Sequence, residues 1–124
     1  MLAKERLIVA LDFAEEQAVK ELVEKLGDEV VYYKVGMELY YSVGPSILDY
    51  LAHKGKKIFL DLKLMDIPNT VAQAMANLAM RPGIDIVNVH ASGGPTMIKL
   101  WPPAHATSSA RFTYSWPFTS MKSD

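Results

Sequence analysis

Apolar residues follow two different spacings along residues 1–99, and the two spacings alternate. A continuous apolar run occupies 7–11, and largely apolar stretches occupy 30–35, which is rich in β-branched and aromatic residues, 57–63 and 84–90. Such runs are typical of parallel strands that are buried on both faces. Helical spacing, with apolar residues three and four apart, is found in the stretches between them: 19–26, 45–55 and 68–79.

The order of predicted elements is strand–helix three times, then a fourth strand and residues 96–99, which begin a fourth helix. Alternation of this kind predicts an α/β fold built from right-handed βαβ units, in either an open doubly wound sheet or a barrel. Periodicity alone does not choose between the two. The chain has 124 residues, whereas a complete (β/α)₈ barrel takes about 200 or more.

The composition changes near residue 100. Residues 100–124 hold three of the 27 charged residues, both tryptophans and no glycine. Residues 106–110 are Thr, Ser and Ala without a helical or strand period. We therefore divide the chain into a domain at 1–99 and an atypical tail at 100–124. The tail is predicted to be disordered or loosely packed, or else to result from a reading-frame shift near codon 100.

Charge and composition exclude several classes of protein. The formal net charge is −1 and there is no cysteine, so the chain lacks the basic surface of a general nucleic-acid binder and the thiols for disulfides. No apolar run approaches the ~18 residues that span a bilayer. We expect a cytoplasmic protein with neither nucleic acid nor membrane as a partner.

Charged residues stand where the predicted strands end, which is the first indication of chemistry. Asp12 follows the first strand and Lys34 lies late in the second. Asp61 and Lys63 lie two apart on the third strand, and Asp66 follows at the turn into a helix. Charges are costly in a buried strand unless they pair or take part in chemistry. The carboxyl ends of parallel strands meet at one edge, so these groups are predicted to share a cleft.

Each of these residues also has a simpler interpretation. Asp12 and Asp66 have the position of helix N-caps, Asp12 with a capping-box-like spacing to Glu15. Lys34 could extend its stem along a strand edge, and the Asp61–Lys63 pair could be a structural ion pair. His90 alone is more often a hydrogen-bonded structural histidine than a catalyst. The whole set at successive strand ends is harder to explain structurally than any single member.

Residues 58–70 carry a more specific pattern, Asp-x-Lys-x-x-Asp followed by Ile-Pro-Asn-Thr. With the segments 7–12, 33–36 and 87–94 in the same order, residues 5–99 resemble the orotidine 5′-phosphate decarboxylase family. The resemblance implies a (β/α)₈ barrel of the ribulose-phosphate-binding type, of which only about the first four βα units are present. It also implies a homodimer with shared active sites, and conversion of orotidine 5′-monophosphate to uridine 5′-monophosphate and CO₂ in pyrimidine biosynthesis. No metal or organic cofactor is expected.

The resemblance also implies catalytic roles by position. Lys63 would be the general acid that protonates C6 of the pyrimidine as CO₂ leaves. Asp61 would lie beside the substrate carboxylate. Asp66 would come from the neighbouring subunit and complete an alternating network of four groups, Lys34–Asp61–Lys63–Asp66.

Substrate-binding roles are implied for four residues. Asp12 and Lys34 would bind the ribose hydroxyls, and Ile67 and Thr70 would reach across the subunit interface. The family's phosphate-binding glutamine and arginine map onto no residue of this chain, so little activity is expected from it alone. Two alternatives stay open: a metal-dependent phosphosugar decarboxylase or synthase of the same superfamily, and a non-catalytic half-barrel that acts only in assembly.

Overall fold

The computed structural model describes residues 6–99 and 111–115. Five parallel strands form one sheet, and their order in the sheet is their order in the chain. They are β1 (Ile8–Ala10), β2 (Tyr32–Gly36), β3 (Lys57–Leu64), β4 (Ile84–His90) and β5 (Arg111–Ser115). The helices are α1 (Glu16–Leu26), α2 (Met37–Val43), α3 (Ser46–His53), α4 (Pro68–Ala79) and α5 (Pro95–Lys99).

Strand order distinguishes between the two architectures that periodicity leaves open. In a doubly wound sheet the strand order reverses at a switch point, whereas a barrel adds each strand beside the previous one. The observed order has no reversal across the five strands. The described part of the chain therefore has the topology of the first units of a (β/α)₈ barrel, as predicted.

The hydrophobic core lies between the sheet and the helices. Alternate residues of β3, namely Ile58, Leu60 and Leu62, are buried in one cluster with residues of α1, α3 and α4. Side chains alternate between the two faces of a strand, so Phe59 and Asp61 face the opposite side. That side corresponds to the interior of a barrel, and it carries the charged groups described below.

Two elements were not predicted. α2 has seven residues, of which only Leu39 is buried, so it is too short to show an apolar period. β5 lies in the segment for which the sequence pattern indicated no fold element, and it pairs in parallel with β4. That expectation was wrong for Arg111–Ser115, because five residues form a strand when an adjacent edge offers hydrogen bonds. The rest of the predicted tail lies outside the described residues, and the proposed boundary at residue 100 stays a prediction.

The helices of residues 6–99 are all short. α4 has 12 residues, whereas a helix needs about 20 apolar residues to span a bilayer. In this described range, no helix has both the length and the apolar character that crossing a membrane requires.

Lys56 provides a test of how the start of β3 is held. It is 8 % exposed, and its Nζ donates to the backbone oxygens of Gly27 and Val30, each at 2.8 Å. Lys56→Met leaves both carbonyls without this donor, so we expect the free energy of unfolding to fall by about 2 kcal/mol. Urea unfolding measures it, with the exposed Lys25→Met as the control. Equal stability of the two variants would contradict this interpretation.

Candidate active site

An ionic cluster lies where β2 and β3 end. Its centre is Asp61, which is 7 % exposed. Lys63 Nζ donates to Asp61 Oδ1 at 2.9 Å, and Lys34 Nζ lies 3.8 Å from Asp61 Oδ2. Gly36 pairs with Asp61 in the ladder between the strands, which brings Lys34 to the same edge. The structure therefore brings together three of the residues predicted to be catalytic.

The electrostatics of the cluster favour an anionic ligand. Two ammonium groups surround one carboxylate, so the cluster carries a net positive charge when all three groups are ionised. The side chains of Lys34 and Lys63 are 29 % and 34 % exposed, whereas that of Asp61 is 10 % exposed. Burial of the carboxylate between two cations keeps its position fixed. The ammonium groups remain accessible to a molecule that enters from the open side of the sheet.

The backbone at Lys63 is unusual. Its φ is +51°, and among the described residues it is the only one other than glycine with a positive φ. The register between β3 and β4 shifts between Leu60 and Leu64, so the cluster lies on a bulge. Bulges redirect side chains and are common beside active sites, and left-handed backbone at a non-glycine residue often marks a functional position.

Asn88 on β4 is a site residue that sequence reasoning missed. It is 1 % exposed; its Nδ2 donates to Asp61 Oδ1 at 2.6 Å, and its Oδ1 accepts from Lys63 N–H at 2.9 Å. The signal was a polar side chain in the middle of the apolar run Ile84–His90. A buried amide there needs hydrogen-bond partners, and the only way to identify them was to see the neighbouring strand.

Asp66, Ile67 and Thr70 lie at the turn from β3 into α4. All three are exposed, and the Asp66 carboxylate accepts a hydrogen bond from the N–H of Ile67 at 2.6 Å. Lys63, Asp66 and Thr70 line a common cavity of about 360 Å³ between α2 and α4. Among the described residues, no ion pair joins Asp66 to either lysine of the cluster. A single chain thus forms three members of the predicted four-group network.

Asp12 lies at the end of β1, next to β2. A Cβ added to Gly36 would be 3.8 Å from Asp12 Oδ1, so the carboxylate lies over the end of the neighbouring strand. Within residues 6–99 no ion pair links it to Lys34. The helix-cap interpretations of the two aspartates were wrong: the N-cap of α1 is Glu15 and that of α4 is Ile67, neither with a side-chain cap.

His90 has a local structural contact. It ends β4, and its Nδ1 accepts a hydrogen bond from the N–H of Ser92 at 3.1 Å. This bond closes the turn that leads from β4 towards α5. The contact agrees with the structural interpretation of this histidine.

Comparison with known proteins then identifies the family. The model of the orotidine 5′-phosphate decarboxylase / HUMPS family matches residues 5–106. The chain belongs to this family. It is 53% identical over 95 residues to the orotidine 5′-phosphate decarboxylase of Carboxydothermus hydrogenoformans, and 56% identical over 93 residues to that of Bacillus mycoides. These alignments cover 77% and 75% of this chain, but 39% of each relative.

A solved structure agrees with the family assignment. The crystal structure of orotidine 5′-phosphate decarboxylase from Lactobacillus acidophilus matches with a TM-score of 0.75 and 41% sequence identity. The match covers 92% of this chain and 54% of the Lactobacillus chain. The predicted family and barrel-type fold are confirmed, and the chain spans well under two thirds of the length of the decarboxylases that it matches.

Proposed function

We propose that these residues form the N-terminal part of an orotidine 5′-phosphate decarboxylase active site. The reaction would convert orotidine 5′-monophosphate to uridine 5′-monophosphate and CO₂ without a cofactor. The observation that carries the proposal is the Lys34–Asp61–Lys63 cluster at the carboxyl ends of β2 and β3, in a member of the decarboxylase family. Active sites of barrel enzymes lie at this end of the strands.

Lys63 is assigned the proton transfer. When the bond between C6 and the carboxylate breaks, its electron pair stays on C6 and CO₂ leaves. A fixed ammonium opposite C6 stabilises this developing charge and then donates a proton to the carbon. Lys63 suits the role because its Nζ is held by Asp61 at 2.9 Å, while its side chain stays 34 % exposed. The neutral amine left behind regains its proton from solvent after product release.

Asp61 and Lys34 are assigned supporting roles. Asp61 would lie beside the substrate carboxylate, where repulsion between the two anions is relieved as CO₂ departs. Lys34 lies near the other oxygen of the buried Asp61 carboxylate, Oδ2, and helps to hold the carboxylate in place. Lys34 and Asp12 would also bind the ribose hydroxyls, since both lie at the ends of adjacent strands.

A second copy of the chain would complete the site. The exposed side chains around Asp66 include Met37, Tyr41, Met65 and Ile67, with exposures of 47–70%. Exposed apolar residues grouped near a site commonly mark an interface. In the proposed homodimer, Asp66 of one subunit joins the network of the other as its fourth member, and Ile67 and Thr70 reach across the interface towards the substrate.

Phosphate binding is assigned to the part of the barrel that this chain does not match. The chain spans 39% of the curated decarboxylases to which it was aligned, and the family's phosphate-binding glutamine and arginine have no counterpart in it. Binding energy from such a remote group helps to drive chemistry at the reacting carbon. We therefore expect little or no turnover by the 124-residue chain. The cytoplasmic location stays a prediction.

The proposal is tested by completing the barrel. In the completed barrel, residues 1–99 of this chain precede the second half of the Bacillus mycoides decarboxylase. We expect it to convert orotidine 5′-monophosphate, with the loss of orotate absorbance as the assay. Activity that persists with a chelator would support the cofactor-free reaction over the metal-dependent alternative. The 124-residue chain, assayed in parallel, is expected to be inactive.

Other outcomes would change the assignment. A well-folded but inactive completed barrel that does not bind uridine 5′-monophosphate would overturn the proposal. If, in addition, the 124-residue chain forms oligomers, the two results together would favour the non-catalytic half-barrel that acts only in assembly. Robust turnover by the 124-residue chain would contradict the role assigned to the second half. Reading the gene in all three frames past codon 95 tests the frame-shift hypothesis for the tail.

A further inference from the structure

Asn88 touches both the acidic and the basic member of the cluster. Its amide nitrogen donates to Asp61 Oδ1 at 2.6 Å, and its amide oxygen accepts from the backbone N–H of Lys63 at 2.9 Å. The side chain is 1 % exposed, so packing leaves it little freedom to rotate away. One rigid, planar amide therefore links the carboxylate to the backbone that carries the ammonium.

The ladder explains why this link is needed. β3 and β4 pair at Leu60↔Val87 and again at Leu64↔Val89, so residues 61–63 lie opposite the single residue Asn88. A bulge leaves backbone groups without ladder partners. The Lys63 N–H is one such group, and the Asn88 side chain replaces the missing strand partner. The left-handed φ of +51° at Lys63 is stable only where the surroundings hold it.

Asp61 Oδ1 is the point where these contacts meet. It accepts from Asn88 Nδ2 and from Lys63 Nζ. The position of the carboxylate therefore depends on Asn88, and the position of the Lys63 ammonium depends on both the carboxylate and the bulge. We propose that Asn88 is a positioning residue that holds Asp61 and Lys63 in the geometry required for decarboxylation. This inference rests on the proposed function and deepens it.

Few other side chains could make both contacts. Asparagine offers a donor and an acceptor on one short planar group. Aspartate would keep the acceptor for Lys63 N–H, but would place a second carboxylate against Asp61. Alanine would leave a buried carboxylate oxygen and a buried N–H without these partners.

The inference is tested by measuring kcat in the completed barrel. Titration with uridine 5′-monophosphate counts the folded sites, so that kcat is expressed per folded site. Asn88→Ala is expected to lower kcat about 100-fold, because a displacement of about 1 Å has effects of this size. KM is expected to change by less than about threefold, since Asn88 is not assigned to touch the substrate. The matched control is Asn77→Ala on the exposed side of α4. Unchanged kcat per folded site in Asn88→Ala would overturn the inference.

Asn88→Asp gives a pH profile that a merely structural role would not produce. When protonated, the introduced carboxyl can donate to Asp61 as the amide does; when ionised, it repels Asp61. The variant's kcat, relative to the parent protein, is therefore expected to rise as the pH falls from 8 towards 5.5. A constant ratio across this range would count against the positioning role.

A measurement on the 124-residue chain separates this inference from the proposed function. Hydrogen exchange of the Lys63 backbone N–H reports its bond to Asn88 directly and needs no substrate. Asn88→Ala is expected to speed this exchange at least about tenfold, while Asn77→Ala leaves it unchanged. If the parent completed barrel is inactive, the proposed function fails. If the Lys63 N–H exchanges slowly in both the parent chain and Asn88→Ala, the positioning role of Asn88 is overturned, whatever the activity of the completed barrel.

Discussion

Lys63→Ala in the completed barrel is expected to lower kcat by about 10⁴-fold, because it removes both the proton donor and the charge that stabilises C6. Binding of uridine 5′-monophosphate is expected to change by less than about tenfold, since the product carries no developing charge at that carbon. Steady-state decarboxylation and equilibrium titration with the product measure the two effects. The split between them distinguishes loss of chemistry from loss of the site.

The matched control for this result lies on the same strand. Lys57 is exposed at the opposite end of β3, so Lys57→Ala removes the same charge far from the cluster. It is expected to keep kcat within about twofold of the parent. Near-normal turnover by Lys63→Ala would refute the role assigned to Lys63, and equal losses in the two variants would indicate a general effect of charge.

When subunits of the Asp66→Asn and Lys63→Ala variants are mixed, we expect part of the decarboxylase activity to return. Each variant alone is inactive or nearly so, because every site lacks one member of the network. In a mixed dimer one site receives Lys63 and Asp66 from unmutated positions, and the other lacks both. If subunits exchange freely, activity recovers to about one quarter of the parent value. Assays of the completed barrel before and after subunit exchange measure this recovery.

The expected recovery follows from the partners that Asp66 and Lys63 have within one chain, since no ion pair joins the two among the described residues. Asp66 is exposed, and its carboxylate is bonded to the adjacent N–H of Ile67, whereas Lys63 pairs with Asp61. Mixing Lys63→Ala with Asp61→Asn is the control, because both residues lie on β3 of the same subunit and no intact site can form. Recovery in the control as well, or in neither mixture, would argue against a site shared between subunits.

Much of the fold was predictable from local pattern. The fourth strand was predicted with the bounds Ile84–His90 that the structure has, and the helix at Pro68 begins at that residue. These elements have strong apolar periods, and proline is well suited to the first turn of a helix. α2 was missed because its seven residues bury one side chain, and β5 because its strand conformation comes with pairing to β4.

The candidate site was predictable only in part, for a similar reason. Lys34, Asp61 and Lys63 could be assigned to one edge because the carboxyl ends of parallel strands always meet there. The sequence could not show that, among the described residues, Asp12 and Asp66 form no ion pair with this cluster, nor which groups they contact. Those contacts depend on where α1 and α4 begin, and the cap signals at both helices pointed to the wrong residues.

The sequence by itself determined the alternation of the first four strands with α1, α3 and α4, the family, and the strand ends that carry charge. These properties depend on residue types at short spacings, which the chain displays directly. Only the tertiary structure decided the role of Asn88, the left-handed backbone at Lys63 and the pairing of β5. The bonds of Asn88 join residues 25 and 27 positions apart. Such contacts exist only after two strands have paired in one register, and a bulge sets that register here.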